Sequence, residues 1–179
     1  FMKEILTIDQ GTTSSRSIIF NESLEIVQES QKEYDLSFPK DGWVEADADD
    51  ILNSVKETLN NVFMSSKSLS NIISCGITNQ RESTVIWDKS TGKAIYPVII
   101  WQDRRTSELC NSLRQDNTIT KMVSEKTGLL VDPYFSATKI KWILDNVKGA
   151  RIKAENEELA FGTIDSFLIW NLTEEKNHL

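Results

Sequence analysis

Residues 9–16 read Asp-Gln-Gly-Thr-Thr-Ser-Ser-Arg, a run in which nearly every side chain can bind oxygen. The carboxylate of Asp9 can hold a water or a hard divalent cation. Gly11 admits close approach of backbone to a ligand, and the N–H groups and hydroxyls of Thr12, Thr13, Ser14 and Ser15 form a concave row of donors suited to phosphate oxygens. Arg16 adds a planar charged fork. A polar hairpin turn with no ligand is the plain alternative, because Gly/Thr/Ser turns are common. Neither Gly-x-x-x-x-Gly-Lys-Ser/Thr nor Gly-x-Gly-x-x-Gly occurs in the chain, so a nucleotide bound here would sit on a hairpin turn rather than on a strand-to-helix loop.

Three further places carry groups of use to a ligand. Arg81 and Glu82 are adjacent opposite charges just past an apolar run, and together they offer donors and acceptors for neighbouring hydroxyls of a polyol. The alternative is a surface ion pair of little worth. Trp101 ends another apolar run and Tyr134 sits in an Asp-Pro-Tyr-Phe turn. An aromatic face can pack on the C–H edge of a polyol while a phenol bonds its oxygens, although both residue types are core residues by default.

Strands and helices must bring these groups together. Ile5 to Ile8 and Ile18 to Phe20 read as strands flanking the first turn, and the weak alternation of Glu25 to Tyr34 gives a third. In the following loop Trp43 is expected to plug an edge of the core. From Ala48 to Phe63 the apolar positions Ile51, Leu52, Val55, Leu59, Val62 and Phe63 share one helical face, with Asp47, Asp49 and Asp50 as capping acids at its start. Ile72 to Ile77 suits a central strand covered on both faces. Thr84 to Trp87 and Pro97 to Trp101 read as an inserted hairpin. Helices follow around Leu109 to Leu113, from Ile119 to a stop at Gly128, and from Ser136 as N-cap to Gly149. A charged helix (Arg151 to Glu158), a strand near Leu159 to Phe161 and a helix from Asp165 to Leu172 complete the pattern. The order β-β-β-α-β-α is that of a ribonuclease H-like α/β core, a mixed sheet with helices on both faces.

Composition sets limits on partners. With 39% hydrophobic and 26% charged residues, 179 residues suffice for one domain with a core. A net charge of −7 argues against nucleic acid or a membrane surface as partner. Apolar runs are short, so neither a membrane span nor a signal peptide is expected, and a cytoplasmic location follows. Cys75 and Cys110 are expected to be free, buried thiols. His178 carries no expected catalytic role, and Phe1 before Met2 reads as a residue left over from expression.

The stretch 9–16 resembles the first phosphate motif of the actin, Hsp70 and sugar kinase superfamily. Gly42-Trp43-Val44-Glu45, Gly76-Ile77-Thr78-Asn79-Gln80-Arg81-Glu82, Trp101-Gln102-Asp103-Arg104-Arg105-Thr106, Thr127-Gly128-Leu129, Asp132-Pro133-Tyr134-Phe135-Ser136 and Phe161-Gly162-Thr163-Ile164-Asp165 stand in the order seen in glycerol kinases. Tyr134 to Asn146 is also similar to the first signature of the FGGY carbohydrate kinases. The resemblance covers nearly the whole chain and implies an ATP-dependent phosphorylation of glycerol to glycerol 3-phosphate. It implies that Thr12, Thr13, Ser14 and Arg16 contact nucleotide phosphates and that Asp9 holds Mg²⁺ through water. Arg81, Glu82 and Tyr134 would bind glycerol hydroxyls, with Trp101 packed on the carbon chain.

The resemblance also implies a homo-oligomeric full-length protein. Ala48 stands where family members usually have Pro. Glycerol kinases are much longer, two-domain proteins, so residues 1–179 are expected to be a truncated amino-terminal domain. The catalytic base Asp would then lie beyond Leu179, leaving this chain a very poor kinase. Another FGGY substrate such as xylulose or gluconate, or a non-catalytic polyol-binding module, is the alternative.

Overall fold

The computed structural model describes residues 3–66 and 68–173. Phe1 and His178 lie outside them. Three antiparallel strands, β1 (Glu4–Gln10), β2 (Ser14–Phe20) and β3 (Ile26–Glu33), open the chain, and the long helix α1 (Ala48–Ser65) carries it across to β6 (Ile72–Asn79), which lies parallel to β1. The sheet order is β3-β2-β1-β6. This is the expected ribonuclease H-like order, and it ends β1 and β6 side by side at the rim where the chemical groups of the sequence converge.

Alternation explains how α1 is seated. Along β1 the side chains of Leu6, Ile8 and Gln10 turn to the helix, and on β2 those of Ser15, Ser17 and Ile19 do the same. Ile51, Val55 and Val62 of α1 meet them. Two hydroxyl pairs sit within this apolar contact, Ser15 to Ser54 and Ser17 to Thr58, each at 2.8 Å. Ser54 and Thr58 donate their own protons to helix carbonyls, so the strand serines are the donors and no buried hydroxyl is left unmade. Asp47 caps α1 as expected, its Oδ1 accepting from the N–H groups of Asp49 and Asp50.

The remaining strands are short. β4 (Leu36–Ser37), β5 (Glu45–Ala46) and β8 (Val98–Ile99) form one ribbon, and β7 (Val85–Asp88) pairs antiparallel with β9 (Leu159–Gly162). The expected Thr84 to Trp101 hairpin is therefore not continuous. Only the bridges Thr84 to Ile99 and Trp87 to Ala94 join its arms, because both arms find longer-range partners. The β7–β9 ribbon has helices on both faces. Ile86 packs on Ile143 of α4 (Ser136–Asn146), while Trp87 meets Phe167 and Trp170 of α6 (Ile164–Leu172), ring to ring at 5.6 and 5.8 Å. Helices α2 (Ser107–Arg114), α3 (Asn117–Thr127, closed by left-handed Gly128) and α5 (Ala150–Glu155) complete the fold. No helix among the described residues is long and apolar enough to cross a membrane.

Three further expectations are corrected. β6 is the outer strand of its sheet, with Ile73 61% exposed, not a strand covered on both faces; an apolar run records side-chain type and says nothing of how many neighbours arrive. Cys75 on that strand is exposed for the same reason, while Cys110 is buried, and both thiols are free. The N-cap of α4 is Phe135 rather than Ser136, whose hydroxyl is drawn instead to the carbonyl of Glu82 at 3.3 Å.

Ile51 is fully buried where α1 crosses the sheet. Ile51→Ala is expected to lower unfolding stability by about 2–5 kcal/mol, read as a lower denaturant midpoint with unchanged slope.

Candidate active site

The turn between β1 and β2 is closed by a 2.8 Å bond from Gly11 N–H to Ser14 O, so tightly that a Cβ on residue 11 would stand 3.2 Å from that oxygen. Beneath it lies a buried polar knot. Gln10 donates from Nε2 to Gly11 O (2.6 Å) and to the Tyr34 hydroxyl (2.8 Å). Gln80, just past β6, donates to Gln10 Oε1 (3.1 Å), Gly11 O (3.2 Å) and Tyr34 (2.9 Å). The phenol shares its own proton between the carbonyls of Gly11 (2.6 Å) and Thr12 (2.7 Å). Burial pushes the Tyr34 hydroxyl up to about 12, with the bonds from Gln10 and Gln80 pulling it partly back.

From this knot a chain of bonds runs to the other candidate residues. Ser83 donates to Gln80 Oε1 (2.8 Å) and accepts from the Trp101 N–H (3.0 Å). The Trp101 indole Nε1–H returns to the turn, donating to Thr12 Oγ1 at 3.0 Å. Tyr134 stands edge-on to Trp101, ring centroids 6.0 Å apart. Glu82 is left-handed at φ 65°, an unusual state for a residue with a side chain, and its carbonyl accepts from Lys139 Nζ (2.9 Å), which also donates to Tyr134 O (2.7 Å). Burial holds Lys139 down at about 8, against the charges of Asp103 and Glu82.

Of the residues singled out in the sequence, Thr12, Glu82, Trp101 and Tyr134 are thus joined in one hydrogen-bonded and aromatic cluster. Asp9, Thr13, Arg16 and Arg81 are exposed around it. Arg81 and Glu82 form no ion pair. Arg16 lies flat along the sheet, its guanidinium on Gln31 Oε1 at 2.6 and 3.2 Å, and Gln31 in turn donates to Ser14 Oγ at 3.1 Å. Ser15 leaves the row of donors: as the second residue of β2 its side chain alternates inward to α1. Sequence reasoning missed Gln10, Tyr34, Gln80, Ser83 and Lys139. A signal for the two glutamines did exist, since each immediately follows or ends a strand that carries a candidate group.

A second buried cluster supports the Trp101 side. Arg105 clasps Asp103 through Nε (2.9 Å) and Nη2 (2.7 Å), and reaches Glu45 (2.8 Å) and the Tyr96 hydroxyl (3.2 Å). Its guanidinium lies 3.9 Å over Trp43 and 4.7 Å from Trp142. Burial opposes its charge, and the bonds to Asp103, Glu45 and Tyr96 outweigh that, so its pKa is raised. Trp43 accordingly serves structure, and Asp103 is wholly committed.

Comparison with known proteins shows the family and the fold. Residues 4–178 match the model of the N-terminal domain of the FGGY family of carbohydrate kinases. The chain is 55% identical over 177 residues to a glycerol kinase from Alteromonas mediterranea, covering 98% of this chain and 36% of that one. It is 53% identical over 178 residues to a glycerol kinase from Bacillus cereus, covering 99% of this chain and 36% of that protein. The chain thus spans little more than a third of the length of these curated relatives. A crystal structure of Plasmodium falciparum glycerol kinase with ADP superposes with a TM-score of 0.88 at 34% identity, over 97% of this chain and 35% of that one. A gluconate kinase from Lactobacillus acidophilus shares the fold at TM-score 0.79 and 20% identity, over 95% of this chain and 33% of that one.

Removing the hydroxyl of Tyr34 takes one acceptor from each of the Gln10 and Gln80 amides and one donor from the Gly11 and Thr12 carbonyls. Tyr34→Phe is expected to cost about 1–3 kcal/mol near neutral pH. Because the folded-state pKa lies above that of a free tyrosine, about 10, the hydroxyl's contribution is complete below that pH and is lost as pH rises through 12. Denaturation of both proteins along that range should show the gap narrowing.

Proposed function

We propose that this chain, which belongs to the FGGY family of carbohydrate kinases, supplies the polyol site and the phosphate-binding turn of an enzyme that phosphorylates glycerol with MgATP. The observation that carries the reading is the bond from Trp101 Nε1 to Thr12 Oγ1. Phosphoryl transfer depends on holding acceptor oxygen and phosphate adjacent and in line, and this bond fastens the aromatic wall of the polyol site to the phosphate turn.

In this reading Arg81 and Glu82 take the vicinal hydroxyls of glycerol, Tyr134 donates or accepts at a third position, and Trp101 covers the carbon chain. Trp101 occupies Thr12 Oγ1 as an acceptor, which aims the Thr12 hydroxyl proton away and leaves it for a phosphate oxygen. Thr13 and Ser14 continue that row, and Arg16 swings from the neutral Gln31 amide to phosphate, a stronger acceptor. Asp9 suits a hydrated Mg²⁺: it is an exposed hard oxygen donor near the end of β1 whose carboxylate has no ion pair or hydrogen bond among the described residues. Mg²⁺ there would neutralise the phosphate charge that builds as the acceptor oxygen forms its bond to the γ-phosphorus and the bridging oxygen leaves. None of these residues is assigned as the base that takes the acceptor proton. The same reading gives a cytoplasmic, homo-oligomeric full-length protein.

Glycerol is favoured over larger polyols by the relatives above 50% identity, which are glycerol kinases. Titration of the chain with glycerol is expected to change tryptophan fluorescence saturably, and Glu82→Ala to weaken the response about 10- to 100-fold, the worth of hydrogen bonds to a charged group. Saturation by xylulose or gluconate below the glycerol concentration, or no response to glycerol, would overturn the reading. Glycerol-dependent ADP formation from MgATP separates transfer from binding alone.

A further inference from the structure

We propose that Lys139 is a positioning residue, whose ammonium ties the backbone of Glu82 to that of Tyr134 so that carboxylate and phenol face one polyol. This rests on the reading of Glu82 and Tyr134 as polyol ligands and adds a residue that touches no substrate.

The location of Lys139 is costly. It is fully buried and lies in the first turns of α4, at the positive end of the helix dipole. A Leu or Met would fill the same space without desolvating a charge, so packing alone does not account for a lysine. Its hydrogen bonds do. Nζ donates 2.9 Å to Glu82 O and 2.7 Å to Tyr134 O, and the side chain runs back toward the start of the helix, the direction helical side chains take. One group thus spans two loops far apart in sequence, the loop after β6 and the turn before α4.

The Glu82 peptide is the part that requires holding. At φ 65° it occupies the left-handed region, which is strained for a residue with a Cβ. Its carbonyl collects three side-chain donors, Lys139, Ser136 (3.3 Å) and Thr84 (3.2 Å), of which the Lys139 bond is the shortest and the only charged one. Release of that carbonyl would let the peptide relax and carry the carboxylate away from Tyr134. A lysine whose pKa is lowered to about 8 also invites a role as base or nucleophile. Full burial and two committed hydrogen bonds exclude that role here, since Nζ has no path to a ligand.

The test compares the chain with Lys139→Met, which keeps length and loses every donor, using glycerol titration and site-resolved amide hydrogen exchange. Glycerol affinity is expected to fall about 10- to 100-fold. Exchange should rise at residues 82–84 and 134–136 while the turn at residues 11–14 stays protected. An unchanged affinity, or exchange raised evenly along the chain as a merely structural residue would give, overturns the proposal.

If the parent chain itself ignores glycerol, the polyol reading fails and exchange alone decides. A rise confined to the two segments then sustains the tie, and its absence removes it. Should Lys139→Met not fold, Ser136→Ala with Thr84→Val leaves Lys139 as the sole side-chain donor to Glu82 O. Glycerol affinity and local protection kept within about threefold support the tie, and a loss of tenfold or more overturns it.

Discussion

Two primary amides buried at the ends of adjacent parallel strands govern the whole rim of this domain. Gln10 and Gln80 are joined through backbone as well as side chain, Gln80 N–H donating 2.7 Å to Gln10 O where the β1–β6 ladder runs out. Each amide brings two donors and an acceptor into a place water does not reach, and unmade bonds there are expensive. Their satisfaction requires the Tyr34 phenol on one side and the Ser83 hydroxyl on the other. Those partners in turn fix the Gly11 and Thr12 carbonyls and the Trp101 backbone. The turn and the aromatic wall are therefore consequences of one hydrogen-bonding problem with a narrow solution.

The Arg105 cluster shows the same logic with charge. A guanidinium removed from water is held by two carboxylates and a phenol, and its flat faces are covered by Trp43 and Trp142. Asp103 also accepts from Val44 N–H at 2.7 Å, so the cluster stitches the loop before β5 to the segment after β8. That stitching supplies order where strands are only two residues long.

Much of this was legible in sequence, and the limits have physical reasons. The three-strand meander, α1 with its Asp47 cap, the Gly128 stop and the strand-helix succession follow from period and punctuation, which are local. Pairing between β5 and β8 or β7 and β9 is not local, whereas local pattern favours a Thr84 to Trp101 hairpin that only two bridges realise. Of the candidate residues, Thr12, Glu82, Trp101 and Tyr134 stand at or near element ends, which local pattern marks, and the structure brings them together. Gln10, Tyr34 and Lys139 were missed because their importance lies in what they are buried against, which no spacing records. Ser15 faces α1 and not a ligand because alternation along β2 starts earlier than its apolar residues suggest.

The indole-to-hydroxyl bond between Trp101 and Thr12 joins the aromatic wall directly to the turn. One oxygen, Thr12 Oγ1, is bonded to a ring that would lie on the polyol and carries the proton that would meet a phosphate. If a polyol bound on that ring changes the affinity for phosphate through this bond, phosphate must by linkage change the affinity for the polyol by the same factor. In the proposed reading, acceptor and donor substrates would be coupled through that single hydrogen bond.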